Sequence, residues 1–330
     1  MSFEITNPCT VCGDALSSKF LFEKSVERFK PNKIKIFQCG SCEAIFLGKY
    51  SNFFDAKLYD YYADDVGKTK SQIYNPLVNK SYSKVLQLLS AYGNLKSILD
   101  VGCGNGGFVD FVMAQGYQIR GIDLSESAVS IARGFNLPVS KTDFFSNELE
   151  NSSFDCITMF EVIEHVPKTF EFLKRAEQLL RPGGLLYLTT PNFNSVDRKL
   201  LGKGWKVFHP EHLTYFTSKS LINSVKENTQ FEVLYVETRN ISSELISYFI
   251  NFIPRSIFPV HSNVSKSIQG AVSAIDYTND WKAKYSNSRS FDFIKNIVNA
   301  LLNFFGVGST IVIILRHTDN SADAFERMSV

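Results

Sequence analysis

Gly102, Gly104, Gly106 and Gly107 crowd the stretch Leu99-Asp-Val-Gly-Cys-Gly-Asn-Gly-Gly107, between an apolar run and a helical pattern. Glycines in that position mean that backbone passes close to a ligand, where side chains would block the approach. The surrounding texture fixes the class of fold. SILDVGC reads as a buried strand, GGFVDFVMAQG as a helix ending at Gly116, and IRGIDL as a second strand. Ser125 caps a helix through Ile131, Pro138 precedes the strand VSKTDF, and FDCITMF follows as a fourth strand. The helix KTFEFLKRAEQLL is stopped by Arg-Pro-Gly-Gly, read as a turn without chemistry, and the strand LLYLTT comes next. FEVLYVETR and STIVIILRH add two late strands. Alternation of this kind specifies an α/β fold with a doubly wound, mostly parallel sheet.

Gly102, Gly104 and Gly107 also satisfy GxGxxG, which alone would suggest a dinucleotide. Two carboxylates argue otherwise. Asp100, two residues before the first glycine, suits an ammonium group better than a pyrophosphate, and Asp123 ends the second strand at the spacing that serves ribose hydroxyls. LDVGCGNGG, GIDLS, TDFF, FDCITMFEVIEHV and LRPGG, in that order over roughly residues 95 to 235, resemble the motifs of class I S-adenosylmethionine (SAM)-dependent methyltransferases. The resemblance implies a Rossmann-like sheet of seven strands with the last antiparallel. It also implies SAM as cofactor, with Asp100, Gly102, Gly104 and Asn105 at its methionine end. Asp123 with Leu124 would take the ribose, Asp143 with Phe144 the adenine, and Phe160 with Glu161 the floor of the pocket.

Four of the six cysteines form two CxxC pairs, Cys9 with Cys12 and Cys39 with Cys42. Each short turn presents two sulfurs, so the pairs can close a four-thiolate structural zinc site. Two disulfides are the competing reading, which a reducing compartment disfavours. Cys103 and Cys156 read as small core residues. The expected organisation is a zinc-ribbon-like module at 1–55, a Tyr-rich helical linker or lid at 56–94, a methyltransferase domain at 95–317 with a helical insertion at 240–308, and a tail at 318–330.

Methyl transfer needs an acceptor held in line and a group to take its proton. Met159-Phe-Glu-Val162 stands where methyltransferases of nucleobase amino groups carry Asn/Asp-Pro-Pro-Tyr, so that class is disfavoured. His165 falls just after the fourth strand, in an EVxEHV pattern similar to ubiquinone-pathway O-methyltransferases and enzymes of surface-polysaccharide clusters. FHPEHLTYFT, residues 208 to 217, follows the fifth strand through a long loop and reads as the acceptor-side wall, with Thr217 or Ser218 starting the next helix. It resembles the histidine-containing acceptor loop of sugar C-methyltransferases that carry a zinc module and a tyrosine-rich segment like Tyr59-Asp-Tyr61-Tyr62. Those relatives are commonly longer, with a further C-terminal domain that has no counterpart here. The resemblance makes His209 or His212 the base and Glu211 its orienting partner, with His165 and Tyr62 contacting the acceptor or closing over the sulfonium.

The expected activity is therefore methylation, on carbon or oxygen, of a small molecule such as a nucleotide-linked or polysaccharide-precursor sugar. The alternatives are O-methylation of a quinone or phenol, with 241–260 receiving a lipid tail, and a non-catalytic module that binds SAM and zinc. A net charge of +2 without a basic run excludes a nucleic-acid partner from the expectation. MSFEITNPC has neither the basic start nor the apolar core of a secretory signal, which points to the cytoplasm. Gly306 and Gly308 split the apolar stretch 297–315, and charges and Pro254 interrupt 241–260, so neither reaches the roughly 20 apolar residues of a membrane span. Peripheral membrane contact through 241–260 is secondary to packing, and the oligomeric state is left open.

Overall fold

The computed structural model describes residues 7–26, 33–48, 67–74, 76–242 and 289–318, together with Asp65 and Leu245. In chain order the strands are β1 (Ser18–Ser25), β2 (Lys33–Cys39), β3 (Ile45–Leu47), β4 (Ser97–Val101), β5 (Gln118–Asp123), β6 (Val139–Lys141), β7 (Phe154–Phe160), β8 (Leu180–Pro191), β9 (Thr214–Tyr215), β10 (Phe231–Arg239) and β11 (Thr310–His317). The helices are α1 (Lys70–Ile73), α2 (Pro76–Ser90), α3 (Gly107–Ala114), α4 (Glu126–Gly134), α5 (Thr169–Leu179), α6 (Val196–Leu201), α7 (Ser218–Asn228) and α8 (Arg289–Phe304).

Seven strands form one sheet in the order β10-β11-β8-β7-β4-β5-β6. Neighbours from β8 through β6 run parallel, and β11 lies antiparallel between β8 and β10. The doubly wound, mostly parallel, seven-stranded expectation is met. Two-residue alternation sends side chains to both faces. Leu186, Leu188, Ile311 and Ile313 share one buried cluster with Phe172 and Leu173 of α5 and Leu221 of α7. Leu185, Tyr187, Val312 and Ile314 share the other with Val85 and Leu89 of α2 and Val109 and Val112 of α3. Burial of both faces explains why these strands read as continuous apolar runs.

Arg181 to Gly184 departs from the expected turn. The chain pairs at Leu180 with Phe154, leaves register, and rejoins at Leu185 opposite Cys156, so these residues form an irregular start to β8. Gly183 takes φ +79°, and a Cβ on Gly184 would sit 2.8 Å from the Arg181 carbonyl oxygen, so the bulge needs both glycines. The cysteine module is likewise not closed within its own segment. Its sheet has the order β1-β2-β3-β9, and β9 comes from FHPEHLTYFT. Phe46 pairs with Thr214, Leu47 N–H donates to the Leu213 carbonyl at 2.9 Å, and Thr10 and Thr214 hydroxyls meet at 2.6 Å. Cys9, Val11, Phe37 and Phe46 join the same buried cluster as the sheet strands.

Gly306 and Gly308 lie between α8 and β11, dividing the stretch 297–315 as its glycines imply. No described helix is long and apolar enough to cross a membrane. Tyr59, Tyr61 and Tyr62, and most of the expected insertion at 240–308, lie outside the described residues.

Candidate active site

A cleft of about 500 Å³ opens at the carboxyl ends of β4, β5 and β7. Gly102, Gly104, Asp123, Leu124, Asp143, Phe144, Phe160, Glu161 and His165 all border it. Open α/β sheets place ligands at this end, because the strand-to-helix turns converge there.

The turn after β4 is built for a close approach. Gly102 has φ +69° and Gly104 φ +54°, and a Cβ on Gly102 would come within 2.6 Å of Val162 Cγ2. The Gly104 N–H donates to Asp123 Oδ2 at 2.8 Å, and the Ser125 N–H donates to Asp123 Oδ1 at 2.8 Å. Asp123 is thereby aimed by backbone on both sides, while burial raises its pKa above the usual carboxylate range. The Ser125 hydroxyl accepts from the Ala128 N–H and caps α4, so the end of β5 and the start of α4 form one rigid corner.

Asp100 and Asn105, expected at the methionine end, flank Gly102 and Gly104, which border the cleft. Asp100 is 2% exposed and accepts a 2.7 Å hydrogen bond from Thr158 Oγ1, which ties β4 to β7. Burial pushes its carboxyl up to about 7. Asn105 is held from outside, its carbonyl accepting from Tyr74 Oη at 2.8 Å.

On the far side of the cleft, Phe144 is buried against Phe172, with ring centroids 4.5 Å apart. Arg175 donates to the carbonyls of Phe144, Ser146 and Leu149 at 3.3, 2.9 and 3.0 Å. One guanidinium from α5 therefore shapes the loop that carries Asp143 and Phe144. The linear pattern gave no signal for it, because the contact spans roughly thirty residues and three backbone carbonyls.

Of the acceptor-side candidates among the described residues, His165 borders the cleft and His212 packs against His165, while His209 and Glu211 lie outside the lining. His165 closes a short 3-10 turn, Ile163–His165, and its Nδ1 lies 2.9 Å from the Glu211 carbonyl oxygen. His212 Nδ1 lies 2.8 Å from the Val207 carbonyl oxygen, and the two imidazoles pack edge to face at 4.7 Å. Burial lowers His165 to about 4 and His212 to about 3, so both rings are neutral near pH 7. A neutral ring beside a carbonyl must donate through Nδ1, which leaves the lone pair on Nε2.

Glu211 serves two histidines at this end: its backbone carbonyl lies against His165 Nδ1, and its carboxylate lies 3.6 Å from His209 Nδ1. His209 Nδ1 accepts from the Glu211 N–H at 3.4 Å. Glu164 was not singled out in the sequence, although EVIEH displays it. It is 1% exposed, its Oε2 accepts from Thr190 Oγ1 at 3.0 Å, and its Oε1 is buried with no hydrogen-bond partner among the described residues. Burial, followed by the charge of Glu161, raises its pKa well above the ordinary value.

The four cysteines of the module gather at the other side of β9. Cys9 and Cys42 sulfurs are 3.6 Å apart, as are Cys12 and Cys39, and all four lie within 4.8 Å of one another. All are free thiols. Zinc–thiolate bonds of about 2.3 Å in a tetrahedron place sulfurs about 3.8 Å apart, so the donor set fits zinc.

The family described as "Methyltransferase domain" matches residues 51–236. Among curated proteins, the chain is similar to a ubiquinone biosynthesis O-methyltransferase of Aromatoleum aromaticum, at 37% identity over 107 residues, covering 30% of this chain and 45% of that protein. It is similar to the enzyme of the same name from Idiomarina loihiensis, at 35% identity over 114 residues, covering 32% and 46%. The chain thus spans less than half the length of these curated relatives. Among solved structures, a SAM-dependent methyltransferase from Archaeoglobus fulgidus aligns with 16% identity and a TM-score of 0.49, covering 78% of this chain and all of that one. With more than half of its residues inside the family match, the chain belongs to the methyltransferase domain family, the SAM-dependent class its ordered motifs implied.

Proposed function

We propose that the protein transfers a methyl group from SAM to a hydroxyl oxygen of a small molecule, with a nucleotide-linked sugar as the first acceptor class to test. One observation carries the reading: the glycine turn, the ribose-spaced Asp123 and a neutral histidine border the same cleft. Gly102 and Gly104 leave room for a ligand to approach, Asp123 offers its remaining lone pairs to a diol, and Asp143 with Phe144 closes the far wall. Bound SAM supplies an electrophilic methyl group. The protein's own part is to hold the acceptor and relieve it of a proton. His165 and His212 suit that part, since carbonyl partners fix both rings with Nε2 unprotonated. His165 is the one on the cleft wall.

The sugar class is supported by the resemblance of residues 208–217 and of the cysteine module to sugar C-methyltransferases, two segments that β9 joins in one sheet. O-methylation of a quinone or phenol is the second reading, favoured by the names of the curated relatives. A structural zinc at Cys9, Cys12, Cys39 and Cys42 completes the proposal. The experiment is incubation of the full chain with methyl-labelled SAM and separate pools of nucleotide sugars and lipid quinones, read by mass spectrometry. Label in the sugar pool supports the first reading and label in the quinone pool the second. For the cofactor site, Asp123→Ala should raise the SAM dissociation constant at least tenfold by calorimetry, and unchanged affinity would remove Asp123 from it.

A further inference from the structure

We propose that Glu164, His165 and His212 form a binding site for one divalent transition-metal ion of the zinc or ferrous class, at the acceptor end of the cleft and separate from the four cysteines. One ligand atom from each of the three lies within 4.8 Å of the other two. Two imidazoles and a carboxylate are a donor set such ions accept while keeping positions open for another ligand.

Three independent features of the local structure match a metal site. Each ring has its Nδ1 on a backbone carbonyl, Glu211 for His165 and Val207 for His212, and such outer partners hold a ligating histidine in the correct tautomer. Glu164 is buried and leaves Oε1 without a hydrogen-bond partner among the described residues, a costly arrangement that a cation at that oxygen would resolve. His165 borders the open cleft, which gives an ion a way in. The geometry is also braced: the Leu213 N–H donates to the Glu164 carbonyl at 2.8 Å, which locks the 163–165 turn onto the segment carrying His212.

The inference rests on the reading of His165 and His212 as the acceptor-side group and makes it more specific. With an ion bound there, the Nε2 lone pairs would be taken by the metal, so the rings would act as ligands and not as the base; the ion would instead acidify an acceptor hydroxyl beside it, whose proton would pass to solvent.

The test uses the full chain equilibrated in a zinc-buffered solution, with bound zinc counted by elemental mass spectrometry. Wild type should hold one more ion per chain than His212→Gln or Glu164→Gln, and the affinity of that ion should fall roughly tenfold or more in each variant. Cobalt substitution separates the two sites, because the thiolate site gives intense sulfur-to-metal absorption and the histidine–carboxylate site does not. Should His212→Gln fail to fold by circular dichroism, His165→Gln at the cleft wall decides in its place. Equal metal content in wild type and folded variants would overturn the site, and would leave the transfer reading to stand on turnover. Loss of label transfer from a metal-loaded wild type would count against the transfer reading while leaving the site intact.

Discussion

Asp100 shows how burial changes the meaning of a residue. As a letter beside a glycine loop it reads as a partner for a positive ligand; in the fold its carboxyl is 2% exposed, bonded to Thr158, and shifted to about 7. The sign of the consequence follows from linkage. An unfolded aspartate ionises near pH 3.9, so between about pH 4 and 7 the folded chain holds a proton that the unfolded chain has released. The stabilising effect is complete at the acid end of that window and is lost as pH rises through it, by an amount on the order of a few kcal/mol. Asp100→Asn keeps the shape without the charge. Its Tm relative to wild type should therefore rise between pH 5 and pH 8, measured without SAM, and a pH-independent difference would show that Asp100 does not titrate there. Glu164, His165 and Glu211 give the complementary lesson. The types of residue were visible in EVIEH and FHPEHLTYFT, but which atom faces which was not. Glu211 acts on His165 through its backbone carbonyl, and no pattern of side chains can announce that.

Among the elements, β9 is short and decisive. Thr214–Tyr215 supplies the fourth strand of the cysteine module, and the same segment carries His209, Glu211 and His212 immediately before it. The cysteine cluster and the proposed acceptor wall are therefore two ends of one hydrogen-bonded unit, joined by Leu47 to Leu213 and by Thr10 to Thr214. Zinc holds small cysteine modules in their folded form, so on the proposal that these four cysteines bind it, removing it should loosen β3 from β9. Stripping the metal with a chelator, or Cys39→Ser, should increase protease cleavage within residues 7–48 and reduce turnover by at least tenfold, with SAM affinity changed less than threefold. SAM affinity lost in parallel with turnover would show that the module supports the whole domain instead. The helices and strands of the sheet were legible because each carries its own period and its own punctuation: Ser125 and Thr217 cap α4 and α7 as their positions suggest. The two-residue strand β9 has no such signal. It is a strand only because the edge of β3 lies beside it.

Among the described residues, stability rests on a sheet covered on both faces, with the cysteine module packed partly into the larger of its two clusters and partly into a third with Phe193, Trp205 and Phe208. Leu188, fully buried in the middle of β8 and in contact with that larger cluster, is a fair probe of it. Leu188→Ala should cost about 2–5 kcal/mol in chemical denaturation, through lost burial and the cavity left behind. A cost below about 1 kcal/mol would mean that the core repacks freely. The sequence alone determined the doubly wound sheet, the glycine turn with Asp123 at ribose spacing, and the paired cysteines. Each of these depends on residues a few positions apart, where periodicity, φ freedom and chelate spacing act locally. Only the tertiary structure decided that Asp100 is buried against Thr158, that the cysteine module borrows a strand from residues 214–215, and that Glu164, His165 and His212 meet. Those outcomes depend on which distant segments share one volume, and on which polar atoms burial leaves with or without a partner.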